Sequence, residues 1–244
     1  MTKIEGRKIT LIGGAGFIGH NLALYLNSLG AELSIIDSLQ VNNIASFSST
    51  SADSVNRNLY LSILNERQSL LQKANIPLFV QDARNYHALS RLIGKIEPEI
   101  VIQLAAVSHA NKSNKDPFST FDHSFRTLEN ALDVCRGKVK HFIYFSSSMV
   151  YGHFQNSIVT EETPCKPLGI YGALKYGGEK LVIAYNQVFD LLYEYETVQL
   201  NQGAFSRHVQ FAGTERSALY VEEYGSRSHN LGALRGDRRN VPRS

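Results

Sequence analysis

Tryptophan is missing from this 244-residue chain, and cysteine, methionine and proline are scarce at two, two and six copies. Two cysteines, Cys135 and Cys165, are too few for a disulfide framework or a Cys-based metal site, so both thiols are expected to be reduced and no metal is expected. No apolar run approaches the roughly 18–20 residues that span a bilayer. The N-terminus, MTKIEGRKITLIGG, has no hydrophobic block followed by a small-residue cleavage site. A cytoplasmic protein without membrane contact is the expectation. The body of the chain also lacks a charge of one sign. Residues 1–204 hold 18 basic and 18 acidic side chains, and the whole excess (25 − 22 = +3) falls in residues 205–244, with seven arginines and four acids. Without a Lys/Arg stripe or an aromatic stacking platform, no nucleic-acid partner is expected, and the basic tail reads as a solvated segment. At 43% apolar and 19% charged, the composition excludes a wholly disordered chain.

Short apolar runs alternate with helical periods. Ile9–Ile12 precedes a glycine turn, and Ile18, Leu22, Tyr25, Leu26 and Leu29 then recur at helical spacing until Gly30. Further runs are Leu33–Ile36, Leu78–Val80, Ile100–Ala106 and Phe142–Phe145. Helical patterns run from Asn58 to Lys73, through Tyr86, Leu89, Leu92 and Ile93, and through Phe121, Phe125, Leu128, Leu132 and Cys135. Continuous apolar strands separated by amphipathic helices predict an α/β fold, a doubly wound parallel sheet with helices on both faces. Residues 38–57, polar and rich in Ser and Asn, form an enlarged connection.

Three constellations carry chemistry. Gly13, Gly16 and Gly19 follow the first strand and open a helix. This spacing lets the chain turn tightly, brings backbone amides to a pyrophosphate and packs helix on strand. Asp37, 18 residues past Gly19 at the end of the second strand, is placed to bind an adenosine ribose and to repel a 2′-phosphate, which favours NAD over NADP. Asp82 follows the third strand, where it either meets the adenine amine or caps the next helix. Ser146, Ser147 and Ser148 end the fifth strand at the ligand edge of such a sheet. Tyr171 and Lys175 lie one helical turn apart, so the ammonium is expected to lower the phenol pKa and make it usable for proton transfer.

GGAGFIG, the acid after strand two, QDARN, LAAVSHA, the DP at 116–117, FSSSMVYG and YGALKYGGEK together resemble the extended short-chain dehydrogenase/reductase family, in its NAD-dependent epimerase/dehydratase branch acting on nucleotide sugars. The resemblance runs from about residue 7 to about residue 190. It implies an enzyme that holds NAD through Gly13, Gly16, Phe17, Ile18, Gly19, Asp37, Asp82, Ala83, Leu104, Ala105, Ala106, Tyr171 and Lys175. Ser147, Tyr171 and Lys175 would be catalytic, Ser108, Ser147 and Ser148 would meet the sugar, and a homodimer would form through the Tyr-Lys helix. Dehydratases of the family carry an acidic pair where this chain has Ser148 and Met149, so epimerisation, with C4 the expected carbon, is favoured. Reduction, dehydration and cofactor binding without turnover are the alternatives. Two departures stand out. Ser124 occupies the position of a family asparagine. Beyond residue 193, where the family continues with a strand and a sugar-binding lobe, YEYETVQLNQ shows no clear strand, and Arg216–Tyr220 is a displaced echo of the turn that follows it. The division expected is a cofactor domain over 1–192 and an incomplete substrate lobe over 193–244.

Overall fold

A computed structural model describes residues 4–41, 44, 56–107, 110–153, 163–191 and 193–196. Most of the 38–57 connection, Ser108, His109 and the 197–244 segment with Arg216–Tyr220 lie outside the described residues.

The chain runs β1 (Lys8–Ile12), α1 (Phe17–Ser28), β2 (Glu32–Asp37), α2 (Arg57–Lys73), β3 (Leu78–Val80), α3 (Tyr86–Ile96) and β4 (Ile100–Gln103). Two short helices follow, α4 (Ala110–Lys115) and α5 (Pro117–Phe121), then a π-helical turn (Asp122–Arg126) and α6 (Thr127–Cys135). The remainder is β5 (His141–Phe145), a 3-10 turn (Ser148–Val150), α7 (Gly169–Phe189) and β6 (Tyr193–Glu196). Among the described residues, six strands form one sheet in the order β3-β2-β1-β4-β5-β6. Every pairing is parallel. The order reverses beside β1, so a crevice opens between β1 and β4 at the carboxyl ends of the strands.

Alternation along each strand explains why both faces are covered. Ile9, Leu11, Leu33, Ile35 and Ile102 pack with Ala23 and Leu26 of α1 and Leu71 of α2. Ile12, Ile36, Val101 and Phe142 pack on the opposite face with Leu89 and Ile93 of α3, Leu128 and Leu132 of α6 and Val182 of α7. Thr10 and Ser34, paired in register on β1 and β2, satisfy each other with a 2.7 Å hydroxyl contact inside the core.

Three sequence expectations change. The fourth strand stops at Gln103 rather than Ala106, because the Leu104 and Ala105 N–H groups both turn to the Ile12 carbonyl, at 2.8 and 3.0 Å. The helix expected over Phe121–Cys135 is broken by the π turn at Asp122–Arg126. A strand does form past residue 193. Tyr193–Glu196 pairs with Phe142–Phe145, so the sheet extends four residues beyond the expected division at 192. Its alternating Tyr-Glu pattern hides an edge strand that periodicity alone does not distinguish from a polar segment.

At the amino-terminal ends of the strands, one oxygen of Glu99, just before β4, accepts from Arg7 Nη1 and Lys140 Nζ, both at 2.6 Å. Those two bonds, Lys140 first, hold the Glu99 carboxyl down at about 2, against an ordinary 4.5. The folded-state value lies below the unfolded one, so the stabilisation is complete above about 4.5 and disappears as pH falls towards about 2. In urea titrations followed by circular dichroism, wild type is expected to exceed Glu99→Gln in stability at neutral pH, with the two converging across that acid window.

Candidate active site

The glycine turn is shaped by what a side chain would strike. Gly13 has φ +79°, and a Cβ on it would lie 2.6 Å from the Ala105 Cα, overlapping the loop after β4. A Cβ at Gly19 would lie 2.5 Å from the Gly14 Cα, so the first turn of α1 sits directly on the glycine turn that feeds it. Gly16 differs, with 3.8 Å to the nearest atom. It is the N-cap of α1 and has no side-chain cap, which leaves the first helical N–H groups without intrahelical partners at the positive end of the helix dipole. Phe17 and Ile18 open that helix and are exposed, Phe17 at 63%. The arrangement suits a pyrophosphate, whose negative oxygens need donors and close backbone approach.

Asp37 closes the turn from the side. One carboxylate oxygen accepts from Ala15 N at 2.9 Å and the other from Leu39 N at 2.8 Å. Burial raises its pKa, and those two backbone bonds oppose the rise. Asp82 has a different setting. Arg84 binds both of its oxygens through Nε at 3.1 Å, and the Arg84 guanidinium continues to Asp122 on the π turn at 2.7 Å. Arg84 therefore lowers the Asp82 pKa. Asp82 does not cap α3, because Asn85 does so by accepting from Ala88 N at 3.0 Å. Ala83 is buried, and its carbonyl is fixed by the Asn130 side-chain amide at 3.0 Å.

Leu104, Ala105 and Ala106 form the loop across from the glycine turn. Val107 N donates to Ser124 Oγ at 3.0 Å, and Thr127 Oγ1 reaches the His123 carbonyl at 2.9 Å and the Ala105 carbonyl at 3.5 Å. The π turn aims Ser124 at that loop, as π-turns often do at functional sites. The serine thus ties the loop after β4 to the π turn. Thr127 and Asn130 have no signature in the sequence beyond lying on the inner face of a helix, and Arg84 has none beyond its place in QDARN.

Ser147 caps the 3-10 turn by accepting from Met149 N at 3.3 Å, which leaves its proton for the Tyr171 phenol. Ser148 lies beside it in the same turn. A Cβ at Gly172 would come within 2.8 Å of the Met149 carbonyl, so this glycine lets α7 press Tyr171 against the serines. Asn114 of α4 accepts from Ile170 N at 3.2 Å and caps α7 from outside. Lys175 is buried, donates to the Phe145 carbonyl at 2.6 Å and lies 4.9 Å from the Tyr144 ring centre. The expected lowering of the phenol pKa by lysine does not occur. Burial raises Tyr171, the bond to Ser147 opposes the rise, and the ammonium is directed at the strand carbonyl instead. Ser147, Tyr171 and Lys175 are nevertheless brought to one end of β5, at the same sheet edge as the glycine turn and Asp37. Among the described residues, no group of three or more His, Cys, Asp or Glu side chains could hold a metal ion. Among them, too, no helix is long and apolar enough to cross a membrane.

The sequence profile of the GDP-mannose 4,6-dehydratase family matches residues 10–215. The chain belongs to that family. Membership places it among the NAD-dependent epimerases and dehydratases of the short-chain dehydrogenase/reductase group. A dTDP-D-glucose 4,6-dehydratase of Dictyostelium discoideum is 28% identical over 199 residues, 76% of this chain and 42% of that protein. A UDP-glucose 4-epimerase of Mycoplasma genitalium is 25% identical over 185 residues, 72% of this chain and 47% of the relative. The crystal structure of UDP-glucose 4-epimerase from Brucella ovis, in complex with NAD, superposes with TM-score 0.62 at 22% identity, covering 79% of this chain and 51% of that one. The chain thus spans about half the length of these proteins.

As the anchor of the family's glycine turn, Asp37 has a structural role that needs no nucleotide. Asp37→Ala is expected to lower stability by about 1.5–3 kcal/mol, the range for hydrogen bonds to a charged group. Hydrogen exchange at the Ala15 and Leu39 amides is expected to accelerate in the same variant, with no ligand added.

Proposed function

We propose that the protein is an NAD-dependent nucleotide-sugar epimerase acting at C4, and the observation that carries this is the convergence of Tyr171, Ser147 and Lys175 on the crevice that the glycine turn forms. Gly13, Gly16, Phe17, Ile18 and Gly19 would hold the NAD pyrophosphate. Asp37 would meet its adenosine ribose, and Asp82 and Ala83 would border the adenine. Leu104, Ala105, Ala106, Tyr171 and Lys175 would line the nicotinamide end. The uncapped start of α1 and the missing side chain at Gly16 fit such an anion. When bound, NAD supplies a hydride acceptor that later returns the hydride.

The chain's own residues do the rest. Ser147 orients the sugar hydroxyl and, by hydrogen-bonding the Tyr171 oxygen, favours the phenolate that takes the sugar's proton and later gives it back, and Lys175 supplies the positive charge on the same helix face. Ser108 and Ser148 are the further hydroxyls assigned to the sugar. Epimerisation is favoured over dehydration because the 3-10 turn offers Ser148 and Met149 where water elimination needs an acid and a base, and no carboxylate lies in Ser146–His153. Relatives of both kinds support oxidation at the sugar as the shared step. NAD binding without turnover is the second reading, favoured by the raised pKa of the buried Tyr171 phenol and by the turn of the Lys175 ammonium towards the Phe145 carbonyl. A homodimer through α7 belongs to the same proposal, since Val188 and Phe189 are exposed near the end of that helix. Sedimentation is expected to give twice the monomer mass, reduced to one by Val188→Glu.

The deciding experiment supplies NAD and a panel of UDP-, dTDP- and GDP-hexoses and separates products by chromatography. C4 epimers are expected. Tyr171→Phe is expected to cut turnover by about 10²–10⁴-fold while NAD binding persists, as for loss of a general acid–base. A 4-keto-6-deoxy product would replace the epimerase reading with dehydration, and retained NAD with no sugar turnover would establish the second reading.

A further inference from the structure

Tyr171, Lys175 and Glu179 recur every four residues on α7, a spacing that aligns them in one stripe. The first two belong to the chemistry proposed above. Glu179 has no part in it, yet it is only 4% exposed, more deeply buried than most carboxylates tolerate without a partner. Its partner is Ser146, 6% exposed, which hydrogen-bonds Glu179 Oε1 from the residue next to Ser147. Lys175 is 6% exposed as well. The groups that touch its ammonium, the Phe145 carbonyl at 2.6 Å and the Tyr144 ring at 4.9 Å, are both neutral. A buried ammonium with only neutral neighbours loses its proton easily. Burial drives Lys175 down to about 8, and the charge that opposes this is Glu179. Burial likewise raises Glu179, against the Ser146 bond and the charges of Lys180 and Lys175. The other titratable groups near the pair are Tyr171 on α7, Tyr144 on β5 and Cys165 in the segment leading to α7.

We propose that Glu179, held ionised by Ser146, is a positioning residue that acts through Lys175: it is the buried counter-charge that keeps the lysine an ammonium beneath Tyr171. The proposal rests on the catalytic reading of Tyr171 and Lys175, although its test requires neither nucleotide nor sugar. The Lys175 side chain is followed by ¹³C–¹⁵N NMR of lysine-labelled, ligand-free full-length protein, from about pH 5 to about pH 10, and its signal is assigned by its disappearance in Lys175→Arg. In Glu179→Gln the Lys175 midpoint is expected to move to lower pH by about 1 unit or more, the size usual for loss of a nearby opposite charge. Ser146→Ala is expected to move it the same way by less, because the carboxylate survives without its hydroxyl donor. An unmoved or raised midpoint in folded Glu179→Gln overturns the proposal. Should that variant not fold, an unmoved midpoint in Ser146→Ala does so. Failure of the catalytic reading shows differently, as wild-type protein that binds NAD and turns over no sugar while its lysine titration still responds to Glu179.

Discussion

Everything at the ligand edge depends on two backbone approaches that tolerate no side chain. Gly13 lets the loop after β4 rest on the turn, and Gly19 lets α1 rest on Gly14, each where a Cβ would overlap backbone atoms. Strand β1 sits in the middle of the sheet and hydrogen-bonds to both neighbours, so the turn at its end fixes the helix dipole, the Asp37 end of β2 and the Ala105 loop in one step. Interiors packed this closely leave little room for adjustment. A bulge of one methyl group at either glycine would separate parts that function only when adjacent.

Charges in the fold divide by exposure. Arg84 joins Asp82 to Asp122 and so connects the end of β3 to the π turn, but these groups are partly solvated, and such pairs organise loops more than they stabilise the fold. The stripe on α7 is buried, and there each charge depends on its neighbour. The helix carries the three side chains in line, and the end of β5 completes their surroundings through Ser146, Ser147 and the Phe145 carbonyl.

The sheet, most helices and the positions of Gly13, Asp37, Ser147, Tyr171 and Lys175 were legible in sequence because each follows from local spacing: apolar runs, a glycine rhythm, a four-residue repeat. What escaped was set by tertiary hydrogen bonds. β4 ends early because two N–H groups prefer the Ile12 carbonyl, and β6 exists because β5 offers an unpaired edge to a polar Tyr-Glu segment. The π turn leaves no mark in a periodicity that still fits an ordinary helix. The direction of the Tyr171 shift was misjudged because spacing gives proximity between lysine and tyrosine but not where the ammonium points. Ser146 and Glu179 were visible as a serine run and one further helical turn, and only burial makes them a pair.

The bond from Lys175 to the Phe145 carbonyl joins a buried side chain of α7 to the last residue of β5. A helix fixed to a sheet in this way cannot separate from it without taking the ammonium out of register. Replacing the lysine then removes a structural fastening as well as a charge, so its loss measures the two together.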